Sequence, residues 1–133
     1  VTLICEHNER GALGLVINRP LDMRMSEVLD QLSLPTEDAR LRSMPVLAGG
    51  PVQRDRGFVL HRPGPRSWES TMRVSDTLQV TTSRDVLAAM ARGEGPTPAV
   101  VALGYAGWEA GQLDEELLQN AWLTVPCDDT LVF

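Results

Sequence analysis

Apolar and polar positions alternate between two kinds of pattern along the chain. Residues 1–7 are rich in apolar and β-branched side chains, Asn8-Glu9-Arg10-Gly11 is polar, and residues 12–17 are apolar again. Asn and Gly both tolerate positive φ, so the polar tetrad predicts a turn and its flanks a β-hairpin. Residues 13–17 are apolar on both faces, as in a strand covered on each side. Met25, Val28, Leu29 and Leu32 recur at i, i+3, i+4 and i+7, which predicts a helix closed by Leu34-Pro35. Short runs at 46–48, 58–61, 78–82 and 99–103 predict strands, while 36–44 and 62–70 read as loops. Thr82 or Ser83 caps a second helix with Val86, Leu87 and Met90 inward, stopped by Gly93 and Gly95-Pro96. A third helix runs from about residue 112 to 120. Residues 121–125 and 131–133 read as two further strands. Strands interrupted by three helices, with no repeat and no linker, predict a single α+β domain with a mixed sheet over residues 1–133.

Composition narrows the function classes. A chain of 133 residues with 43% hydrophobic content can build one core. No stretch approaches the roughly 20 apolar residues of a membrane span, so no membrane partner is expected. The chain opens without Met and both ends read as cut through strands, a place where a targeting segment can be lost. Two cysteines make no disulfide framework, which favours a reduced, cytoplasmic protein. All twelve basic residues are arginine, and they are unevenly placed. Residues 40–73 carry a net +5 and residues 74–133 a net −7, within a total of −6. That total argues against simple nucleic-acid binding but leaves room for a local anion site.

Three constellations carry candidate chemistry. Cys5 and His7 lie two residues apart, so on a regular strand they share a face. One reading is a thiolate activated by the imidazole, which requires a lowered thiol pKa. The other is a small buried cysteine beside a strand-end histidine in water. Next, Gly49-Gly50-Pro51 is followed by Arg54, Arg56, His61 and Arg62. With Asn18-Arg19-Pro20 these predict a shallow anion-accepting cleft lined by Asn18, Arg19, Gly49, Gly50, His61 and Arg62. The alternative pairs the arginines with the acidic C-terminal half and makes the double glycine a plain turn. Third, the glycine-rich stretch 104–111 precedes a helix, like a phosphate cradle. Asp114, Glu115 and Glu116 already complement that helix dipole and would repel an anion, so the stretch reads as a structural loop anchored by Tyr105 and Trp108. Cys5, His7, His61 and Cys127 are zinc-ligand types, but without paired spacing, so no metal and no cofactor is expected. There is no Gly-x-Ser-x-Gly elbow, and a chain without lysine cannot form a Walker loop.

The stretches ICEHNERGALGLVINRPL, LAGGPV, GFVLH, TTSRDVL, ALGYAGWEAGQLDEEL and NAWLTVP, in this order, resemble the AlgH (YqgE-type) family of small bacterial proteins. They span nearly the whole chain. The resemblance implies an α+β fold with a mixed, partly barrel-like sheet and about three flanking helices. It implies a label of transcriptional regulator, drawn from a genetic link to exopolysaccharide production, and no established catalytic mechanism. Cys5 matches a cysteine the family often has, whereas Cys127 matches no family motif. Direct DNA binding sits badly with the net charge and with helices that are not basic, so it ranks last. The combined expectation is a cytoplasmic regulator without enzyme activity that binds a small anionic ligand or a protein partner. The competing expectation is a thiol enzyme or redox sensor using Cys5, with His7 as base. Edge strands leave homo-oligomerisation open.

Overall fold

The computed structural model describes the backbone of residues 1–133 and every side chain except that of Asp129. The hairpin forms as its pattern predicts: β1 (Thr2–Asn8) pairs antiparallel with β2 (Gly11–Val16), with Thr2 opposite Val16. Asn8 Oδ1 accepts a hydrogen bond from the Arg10 N–H at 2.8 Å and holds the turn. The chain continues through β3 (Pro20–Arg24), α1 (Met25–Gln31), α2 (Ala39–Ser43), β4 (Pro45–Ala48) and β5 (Val52–His61). It ends with β6 (Thr71–Ser75), β7 (Leu78–Thr81), α3 (Arg84–Ala91), β8 (Ala99–Glu109), α4 (Gln112–Leu118) and α5 (Asp129–Val132).

The eight strands form one sheet in the order β1-β2-β8-β5-β7-β6, with β4 beside β8 and β3 beside β4. The β4–β8 pair is parallel and the others antiparallel, so the sheet is mixed. β1 and β6 approach each other, leaving the sheet nearly closed and barrel-like. Its two faces feed two cores. Val59 of β5 and Val101 of β8 face the helices and pack with Met25, Leu29, Val86 and Leu87. Their neighbours Phe58 and Leu60 point the other way, toward Leu3, Cys5, Leu15 and Val80 inside the barrel. Alternation along a strand covered on both faces produces this division.

β8 serves three neighbours because it turns midway. Its first half lies between β4 and β5, and its second half pairs with β2. Gly104, at φ +81°, makes the change of direction without a Cβ penalty. The Gly49 backbone crosses it so closely that a Cβ on Gly49 would stand 2.3 Å from the Gly104 carbonyl oxygen. Gly49 also donates its N–H to Leu103 and accepts from Val16 N–H, both at 2.8 Å.

Several expectations change. There are five helices rather than three. Residues 36–44, read as loop, contain α2, which Asp38 caps by accepting from the N–H groups of Arg40 and Leu41. One helical turn is too short to show periodicity. The glycine-rich 104–111 stretch is mostly strand, continuing β8 to Glu109. Residues 121–125 are irregular and 131–133 lie in and after α5, so neither is a strand. Leu123 is 98% exposed, because no neighbouring strand is there to pair with its segment.

Candidate functional site

β5 does not run evenly beside β8. Val52 pairs with Tyr105 and Gly57 with Leu103, so four residues, 53–56, stand opposite Gly104 alone. The excess chain bulges outward and carries Arg54, Asp55 and Arg56 into solvent. Gln53 adopts φ 45°, a left-handed conformation that costs a non-glycine residue about 1 kcal/mol. The absent side chain of Gly104 makes room: a Cβ there would lie 3.3 Å from Arg54 Cα. Arg56 reaches back, donating to Gln53 Oε1 at 3.5 Å with its guanidinium 5.4 Å from the Phe58 ring centroid.

Arg54 thereby overlooks two adjoining clefts. The first, about 360 Å³, is lined by Arg19, Arg54, Gly50, Pro51 and apolar side chains that include Leu21 and Leu103. The second, about 500 Å³, lies between β5, α1 and α3, and Arg54 and Leu103 are walls of it too. Among the described residues no carboxylate is within ion-pair distance of the Arg19 or Arg54 guanidinium. Arg84, on the rim of the second cleft, donates to the Leu32 carbonyl at 2.8 Å.

The structure brings together only part of the anion-binding constellation. Arg19 and Gly50 line the first cleft with Arg54. Gly49 lies beneath it and is fully engaged with β8 and β2. Asn18 turns away, its Oδ1 accepting from the Val1 amino group at 2.9 Å. His61 and Arg62 stand at the opposite end of β5. His61 is 1% exposed, and its Nδ1 lies 2.9 Å from the Arg62 carbonyl oxygen. A carbonyl can only accept, so Nδ1 carries the proton and, in the neutral ring, Nε2 accepts from the Thr81 hydroxyl at 2.7 Å. Thr71 Oγ1, 2.9 Å from Thr81 Oγ1, completes the chain. The Arg62 guanidinium lies 5.1 Å from the Phe133 ring centroid.

Cys5 and His7 do not form a pair. The β1–β2 register slips between Ile4 and Glu6, and this bulge interrupts the alternation that would align the two side chains. Cys5 is buried in the barrel with its thiol directed at the Leu3 carbonyl, 3.7 Å away. Burial pushes the thiol pKa up to about 12, and Cys127 adds a smaller push in the same direction. An activated thiolate requires the reverse. His7 is exposed and places Nε2 3.0 Å from Asp114 Oδ1 of α4. Among the described residues no group of three or more His, Cys, Asp and Glu is arranged to hold a metal ion, and no helix is long and apolar enough to cross a membrane.

Leu103 and Arg84 escaped the sequence reading. Leu103 looked like any residue of a buried strand. Arg84 carried a signal: a cation in the first turn of a helix opposes the dipole, so its position asks for another purpose.

Comparison with known proteins gives a consistent assignment. The chain matches the AlgH-like family over residues 1–133. It is 57% identical to a UPF0301 protein of Thioalkalivibrio sulfidiphilus and 52% identical to one of Nitrosospira multiformis, covering all of this chain and 70% and 71% of theirs. The solution structure of the AlgH protein from Pseudomonas aeruginosa superposes with a TM-score of 0.86 at 52% identity, over 99% of this chain and 69% of that one. A crystal structure from Corynebacterium diphtheriae shares the fold at TM-score 0.74 and 19% identity, over 99% of this chain and 68% of that one. The chain belongs to the AlgH-like family.

Proposed function

We propose that this protein is a binding module, without catalysis of its own, that holds a small organic anion in the Arg19–Arg54 cleft and acts as a regulator through that occupancy. One observation carries the reading: two guanidinium groups with no carboxylate partner among the described residues line the same concavity, one of them displayed by a strained bulge. Backbone strain of this kind collects at functional sites. Guanidinium groups bind carboxylates and phosphates through paired hydrogen bonds. A cytoplasmic setting suits two cysteines that form no disulfide with each other.

The test is a titration of isotope-labelled protein with acetate and with inorganic phosphate at low ionic strength. Amide resonances of Arg19, Gly50, Arg54 and Leu103 are expected to shift together. R19Q and R54Q should each weaken binding about tenfold, the scale of one charged hydrogen bond. Shifts confined to the His61–Arg62 end of β5, or affinity unchanged in R19Q/R54Q, overturn the reading.

A further inference from the structure

We infer that the ligand of this site is an amphipathic carboxylate, with its head between Arg19 and Arg54 and an aliphatic tail lying in the second cleft, under α1 and α3. The inference rests on the anion reading and adds the class of ligand. The two clefts adjoin at Leu103 and Arg54, so a molecule anchored at the arginines has the second cleft directly beside it. Its volume of about 500 Å³ lies within the range of small-molecule sites. The floor of that cleft is apolar: Met23, Val28, Leu32, Val59 and Leu87 all belong to, or pack against, the helix-side core.

Several of the polar groups around that floor are already committed, while Gln31, Asp55 and Thr82 also line the cleft. Thr81 bonds to His61 and Thr71, Ser83 to Asp85 and the Ser70 N–H, and Arg84 to the Leu32 carbonyl. Against the apolar floor a polar ligand body would give up its water, whereas methylene groups gain by burial, and the Asp55 carboxylate would repel a second anionic head there. Among the described residues no aromatic ring lines either cleft, so a nucleobase has nothing to stack on. The apolar floor and the guanidinium groups at one end together specify a charged head with a hydrocarbon tail.

The experiment is calorimetric titration with butanoate, hexanoate and octanoate below their aggregation limits, alongside 1-octanol and inorganic phosphate. Each added methylene is expected to tighten binding about fourfold. Octanoate should bind at least about tenfold more tightly than 1-octanol. R54Q should weaken every carboxylate by a similar factor and leave the chain-length dependence in place. Met23→Ser should flatten that dependence, and Met23→Leu should restore it. Carboxylates that bind equally at every length, with phosphate also bound, overturn the tail assignment and leave the anion site standing. Binding of 1-octanol as tight as octanoate overturns the head assignment and the anion reading with it. No binding of any probe overturns both.

Discussion

The two ends of β5 carry similar residues and do opposite things. At one end His61 is enclosed, and each of its ring nitrogens has a partner supplied by the fold. At the other, Arg54 stands on a bulge over a cleft with no ion-pair partner among the described residues. Both regions looked alike as a run of basic residues near glycines. What separates them is whether neighbouring strands satisfy the polar atoms. A saturated polar group contributes to the scaffold, and an unsatisfied one at a cleft is available for a ligand.

That contrast can be attacked from the closed end first. His61→Ala removes a buried ring and strands the Thr81 hydroxyl, so it should destabilise the protein by about 3 kcal/mol in urea unfolding. A loss below about 1 kcal/mol would mean that the enclosed network contributes little. Gly49→Ala tests whether the double glycine serves the scaffold rather than a ligand. The new Cβ meets the Gly104 carbonyl, and the expected cost is about 2 kcal/mol with a lowered thermal midpoint. Wild-type stability in that variant would refute the close crossing of the two backbones.

Cys5 offers a pH-dependent test of the barrel interior. Its folded pKa is raised from 9.0 to about 12, so the folded state keeps the proton that the unfolded state releases. The stability from the neutral buried thiol is full below pH 9 and is lost as pH climbs toward about 12. The slope within that window should approach about 1.4 kcal/mol per pH unit. Cys5→Ala should lessen it, and an unchanged slope would place the titration elsewhere. In the native protein near pH 8, alkylation should label Cys127, which is exposed, well before Cys5. The smallest effect belongs to the open end. R54Q should shift stability by no more than about 0.5 kcal/mol, since its guanidinium makes no ion pair to lose. A larger loss would show that Arg54 is structural and would erase the distinction.

Local chemistry explains which features were legible in advance. The β1–β2 hairpin announced itself through its polar turn, and α1 and α3 through their 3.6-residue periodicity. β6 was hidden: Met72 and Val74 alternate with polar neighbours, but the strand is five residues long. Residues 121–125 misled in the other direction, since apolar content makes a strand only when a partner is within reach. At the site, Arg19 and Gly50 were legible beside turn residues. His61 and Arg62 follow Arg54 closely in the sequence, but residues 53–56 leave the β5 ladder and the two ends of the strand meet different neighbours. Leu103 and Arg84 reach the clefts from distant segments, through a topology that no short window contains.

The midway turn of β8 also bears on how the molecule assembles. This strand comes last of the eight in chain order and supplies pairings to β2, β4 and β5. Until residue 109 leaves the ribosome, those three strands lack their shared neighbour, and a nascent chain has only the β1–β2, β3–β4, β5–β7 and β6–β7 pairs. Such long-range pairing slows folding and leaves strand edges open during synthesis. Chaperone demand should therefore peak just before that strand emerges and fall once Gly104 has carried it across.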